Sequence, residues 1–202
     1  MTNSAAVSSK ASLDAIDAYI RAYEEFEKKS RDLGPEVHVL WTDAHYFFGR
    51  SLEAAKLGKT DEEERFLRAT VLVAAAAFES FTNFLAHSVV NSSAQMTEFE
   101  RNILLEQQER VNDKGQVHTS KSKCGTLQRF LLLFRICSTG RDFDEDTRKE
   151  LQEALDVRDA IVHPKPGCNL NLAAERRGIK VFHDFLTADI MLTVVAKTNP
   201  VL

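Results

Sequence analysis

Little in this sequence would break a helix. Four prolines and eight glycines are spread over 202 residues, and long stretches run without either. Proline removes a donor and clashes inside a helix, and glycine costs backbone entropy, so their scarcity favours long helices. Cysteine is scarce as well. Cys124, Cys137 and Cys168 are odd in number and in no C-x-x-C spacing, which argues against a disulfide framework or a structural zinc site. The start of the chain, MTNSAAVSSKAS, has no apolar core, so no secretory signal is expected. Thr70–Val90 is the one stretch with the length of a membrane span. It carries Glu79, Asn83 and His87 and is rich in alanine, which suits a buried bundle helix better. No Gly-rich phosphate loop and no G-x-S-x-G motif is present. His38 and His45 share a helix face, seven residues apart, but lack a third ligand, so neither metal nor cofactor is expected. A cytoplasmic protein without a membrane partner is the expectation.

What is present is an ordinary globular composition, 44% apolar and 28% charged, long enough for one domain with a substantial core. Residues 1–11 read as disordered, and residues 12–202 as a single helical domain. Ser12 caps an expected helix to about Leu33, ended by Gly34-Pro35. A second helix is expected over about Glu36–Leu57, with Gly58 as its C-cap. Thr60 and Glu63 have capping-box spacing at the start of a third and longest helix, reaching about Asn91. Its Phe78, Phe81 and Phe84 fall at core spacing. Further helices are expected over about Thr97–Val111, Leu127–Ile136, Asp144–Val162 and Phe185–Lys197. Asn112–Ser122 reads as a loop and Gly178–Phe182 as a short strand. Together these indicate an all-α bundle with long central helices.

The net charge is −4, yet Arg110, Lys114, Lys121, Lys123, Arg129 and Arg135 face only Asp113 across residues 110–135. That stretch carries +5 and leaves −9 for the rest of the chain. A basic strip on an acidic body suits phosphate binding, and a solvated loop explains it equally well. On the long helix, Glu79, Asn83 and His87 form an i, i+4, i+8 polar stripe, with Arg65 and Arg68 near the same face. It is either the solvent edge of the helix or the lining of a cleft in which Glu79 partners Arg158 or positions a ligand.

The densest chemistry lies in RDAIVHP, Arg158–Pro164. Leu151, Ala154, Leu155, Ile161 and Val162 mark an apolar stripe, and Arg158 falls on it. A guanidinium leaning inward must find partners, because it cannot shed its charge. His163 precedes Pro164, which disfavours helical geometry there and ends the helix. On an uninterrupted helix Arg158 and His163 would lie roughly 140° apart, so a shared site needs that ending or a second subunit. The plainer alternative is a structural Arg158 beside an i, i+4 surface pair of Asp159 and His163.

Arg158, Asp159 and His163, as R-x4-H late in an all-helical chain, resemble the HEPN superfamily of helical-bundle ribonucleases, RNA-processing and toxin domains. AAAFESFTNFL, Ala75–Leu85, resembles the long early helix of such domains. The likeness spans roughly Asp61–Lys197. The resemblance implies a homodimeric, metal-independent endoribonuclease, a toxin or antiviral effector, with an antitoxin or regulatory protein as a further partner. It casts His163 as the proton-transfer residue and Arg158 as the phosphate clamp. Asp159, Glu79 and Asn83 would be supporting residues, and Lys114, Lys121, Lys123, Arg129 and Lys165 would contact RNA. Some toxin members carry a Tyr two residues after the motif His; Lys165 stands there in this chain. The alternative is a catalytically inactive HEPN-like bundle module that binds a protein or nucleotide partner.

Overall fold

A computed structural model describes residues 35–187 apart from 93, 112, 122–123, 139–142 and 165–171; at 35, 108–111, 118, 172 and 183–187 it describes the backbone alone. The expected helix at 12–33 lies outside these residues. Six helices and one hairpin follow in order: α1 Pro35–Lys56, α2 Thr60–Val90, α3 Glu98–Leu104, β1 Gln107–Val111, β2 Val117–Lys121, α4 Thr126–Cys137, α5 Glu145–Val162 and α6 Leu172–Thr187. The described chain is therefore mainly α-helical, as its composition indicates.

α2 is the axis of the structure, in contact with all five other helices. Its apolar residues run almost all the way round, so neighbours cover it on several sides. Leu67, Val71, Ala74, Ala77, Phe78, Phe81, Leu85 and Val89 are all fully buried. Thr70 and Thr82 are buried too, and their hydroxyls donate to the carbonyls of Phe66 at 2.8 Å and Phe78 at 2.9 Å. Satisfying the hydroxyl within the helix removes the cost of burying it. α2 is long and apolar enough to cross a membrane by length and composition, and over half of its most apolar window is buried inside the structure. Phe78 joins three helices at the centre, with its ring 5.4 Å from Phe130 of α4 and 6.2 Å from Phe182 of α6. Phe84 was expected in this core; it is 37% exposed, rotated about 60° round the helix from Phe81 and about 120° from Phe78.

Several elements differ from the expectation. α2 starts without the Thr60 capping box. Lys59 is the N-cap and makes no side-chain capping bond; its ammonium pairs with Glu62 instead, and Glu63 pairs with Arg176 of α6. The box forms instead at α3, where Thr97 and Glu100 bond each other reciprocally. α3 ends at Leu104, not Val111, because Glu106 takes a left-handed conformation, φ 53°. The chain then turns back as an antiparallel hairpin, from Gln107 opposite Lys121 to Val111 opposite Val117. Gly115, at φ 73°, makes its turn. The expected strand at Gly178–Phe182 lies within α6. Gly178 sits where α6 crosses α5, 3.8 Å from Ala154 and Val157 to a Cβ built on it. The expected start of a final helix at Phe185 is inside α6, and residues 188–202 lie outside the described ones.

Candidate functional site

α5 begins with Asp144, whose carboxylate accepts the Thr147 amide at 2.8 Å, a standard N-cap bond. Leu151, Ala154 and Leu155 are buried. One turn further, Val157 and Ile161 pack against Leu67 and Val71 of α2 and Ile179 of α6. The motif end of α5 therefore lies along the first half of α2. The helix stops at Val162, and His163 is its C-cap at φ −125°, ψ 67°, with its amide still bonded to the Asp159 carbonyl at 2.8 Å. Pro164 forces that departure, as expected.

Arg158 is half-buried, its side chain 30% exposed, and its Nη1 lies 2.9 Å from Asp159 Oδ1. Asp159 thus holds the guanidinium next to it, and no bond from its carboxylate to the His163 imidazole is seen among the described residues. The i, i+4 relation is used by backbone atoms instead. His163 is exposed, and so is Val162, which was expected on the buried stripe. In the last turn Ile161 still packs on α2 and α6 while Val162 turns to solvent.

The remaining residues are not gathered around this end. Glu79 is exposed, eight residues beyond Val71 and so about 12 Å along α2; it does not partner Arg158 among the described contacts. Asn83 is a further turn away, and it serves Arg129. That arginine, read from sequence as RNA-binding, is 4% exposed. Its Nη1 donates to Asn83 Oδ1 and Glu106 Oε1, each at 2.8 Å, and its Nη2 donates to the Leu104 carbonyl at 2.8 Å. A buried guanidinium with this set of acceptors is a structural tie between α2, α3 and α4, not a free phosphate ligand. Beside it, burial pushes the Cys124 thiol up from its ordinary range. Lys114 and Lys121 are exposed on the hairpin. Lys123 and Lys165 lie outside the described residues.

Sequence reasoning named Arg68 and Glu63 but missed their partners on α6, Glu175 and Arg176. Arg68 of α2 donates from Nε to Glu175 Oε1 of α6 at 3.0 Å and pairs through Nη2 with Glu64 at 3.0 Å. Glu63 pairs with Arg176. The signal was available in α6: Glu175, Gly178, Ile179 and Phe182 are its buried positions, spaced as one helix face. A charged residue and a glycine on that face obscured the period. No group of three or more potential metal ligands is found among the described residues. Where α5 meets α6, a cleft of about 390 Å³ is lined by Glu150, Glu153, Asp156 and Arg177 above an apolar floor; Arg158 and His163 are not in it.

No family model, no curated protein and no solved structure matches this chain.

Proposed function

We propose that this chain is a metal-independent endoribonuclease of the HEPN type, cytoplasmic and homodimeric, in the role of a toxin or antiviral effector. One observation carries the reading. α5 ends at Val162, so a half-buried arginine in its last turns and an exposed histidine at its C-cap stand at one helix terminus. The pair supplies what phosphodiester cleavage by the neighbouring 2′-hydroxyl requires. The His163 imidazole moves the proton. Arg158 offers two parallel donors to the phosphate as charge builds on it. Its ion pair with Asp159 is partly exposed and is therefore weak enough for a phosphate to displace. Lys114 and Lys121 on the hairpin give RNA a second contact. A catalytically silent bundle module that binds a protein or nucleotide is the second reading. It is favoured by one fact: Asp159 neutralises Arg158 and does not orient His163.

The test is cleavage of total RNA by the purified protein in EDTA. Activity is expected to persist, with 2′,3′-cyclic phosphate ends, and to vanish on a substrate with a 2′-deoxy group at the cut. His163→Ala and Arg158→Ala each remove most of it, with a loss on the order of 10²–10⁴-fold for the histidine, while circular dichroism stays unchanged. Full activity in His163→Ala, or no cleavage at all by a folded dimer, leaves the binding module ahead. Light scattering after size exclusion checks the dimer.

A further inference from the structure

Two crossed ion pairs join α2 and α6. α2 contributes the buried Glu63 and the half-exposed Arg68, and α6 contributes the buried Glu175 and the exposed Arg176. Each helix offers one carboxylate from the inside and one guanidinium from the rim. Glu175 is the more demanding of the two acids. It is 1% exposed, and its Oε2 is buried without a hydrogen-bond partner among the described residues. Its one charged bond comes from Arg68, which is 43% exposed and shared with Glu64. Glu64 places a second negative charge on the same face. From α5, the charged groups at this end, Arg158 and Asp159, pair with each other.

A carboxylate so placed gives up water at both oxygens and receives one bond from a cation still half in solvent. The neutral acid gives up less. We infer that the contact is a pH-tuned clasp, in which proton uptake by Glu175 tightens the docking of α6 on α2 and ionisation loosens it. Burial pushes the Glu175 carboxyl up from the ordinary glutamate range; Arg68 opposes the rise and Glu64 adds to it. The docked helix therefore holds a proton at pH values where the undocked one has released it. Docking is strongest below the ordinary glutamate range and is lost progressively as pH rises through the raised value. The clasp lies beside the cluster of Leu67, Val71 and Ile179 that receives Val157 and Ile161, so its state sets how firmly the last turns of α5 are backed.

Hydrogen–deuterium exchange on the full chain tests this, read at the amides of Ile179–Phe182 and corrected for the intrinsic pH dependence of exchange. Protection is expected to rise severalfold between about pH 8 and about pH 4, below the ordinary glutamate range. Glu175→Gln is expected to abolish the rise. No rise in the wild type, or an equal rise in the variant, overturns the clasp. Should Glu175→Gln fail to fold, Arg68→Met gives the second arm. Without the cation the carboxyl ionises at higher pH, so tightening must begin at higher pH; an unchanged onset overturns the proposal.

Discussion

Glu106 holds a conformation that glycine would take more readily. At φ 53° its Cβ is crowded by the backbone, at a cost of roughly 1–2 kcal/mol for an L residue. Its carboxylate sits 2.8 Å from the buried Arg129. Removing the acid leaves that cation without its counter-charge, a loss of about 2–3 kcal/mol, at the lower end for buried pairs because the Glu106 side chain is 40% exposed. Two substitutions separate the two effects. Glu106→Ala loses the charge and keeps the strain, whereas Glu106→Gly loses the charge and relieves the strain. Glu106→Gly is expected to be the more stable of the two by about 1 kcal/mol, both below wild type, in urea unfolding. Nothing in the sequence separates Arg129 from its basic neighbours by type. Its Phe130 and Leu127 neighbours are buried at helical spacing, but a one-residue offset decides whether a guanidinium points inward, and acceptors from α2 and α3 make that burial tolerable. Those acceptors are distant in sequence and so were not legible there.

At the scale of the element, helix ends were read less well than helix bodies. α1, α4 and α5 run within a residue or two of their expected limits, because apolar period and nearby Gly or Pro agree there. The α2 start shows the opposite case. Thr60-x-x-Glu63 matches a capping box in letters, but a tertiary partner, Arg176, takes the glutamate away. Thr97-x-x-Glu100 matches it equally and keeps it, with the Glu100 amide 3.2 Å from Thr97 Oγ1. Thr97→Ala is therefore expected to cost about 1 kcal/mol, and Thr60→Ala to stay within about 0.5 kcal/mol, in the same unfolding assay. Glu100 is held below the ordinary carboxylate range by the Thr97 amide and hydroxyl. Its contribution to the cap is present above the unfolded pKa and is lost as pH falls through the lowered one. The α3 cap should thus weaken on acidification, as should the Asp144 cap of α5, the opposite sense to the docking of α6. The hairpin was missed because Gln107–Val111 and Val117–Lys121 carry no apolar face, and polar strands leave no period to read.

Across the whole molecule, α2 ties the parts together, and its aromatic residues differ in burial. Phe78 is fully buried against Phe130 and Phe182. Phe78→Ala is expected to cost about 3–5 kcal/mol, a large share of the stability of a domain this size. Phe84→Ala is expected to cost well under half of that, and thermal melts of the two variants check the contrast. The long axis also works as a ruler. The R-x4-H terminus packs beside Leu67 and Val71, and the hairpin follows the ties that Arg129 makes to Asn83 and Glu106, up to sixteen residues further along α2. That is about 24 Å of helix. On the proposed reading, a single strand touching both places at once spans that distance with about seven nucleotides when stacked at ~3.4 Å each, and with fewer when extended. A length series of oligonucleotides, with a break in affinity at about seven nucleotides or below, reports whether the two ends ever act on one strand.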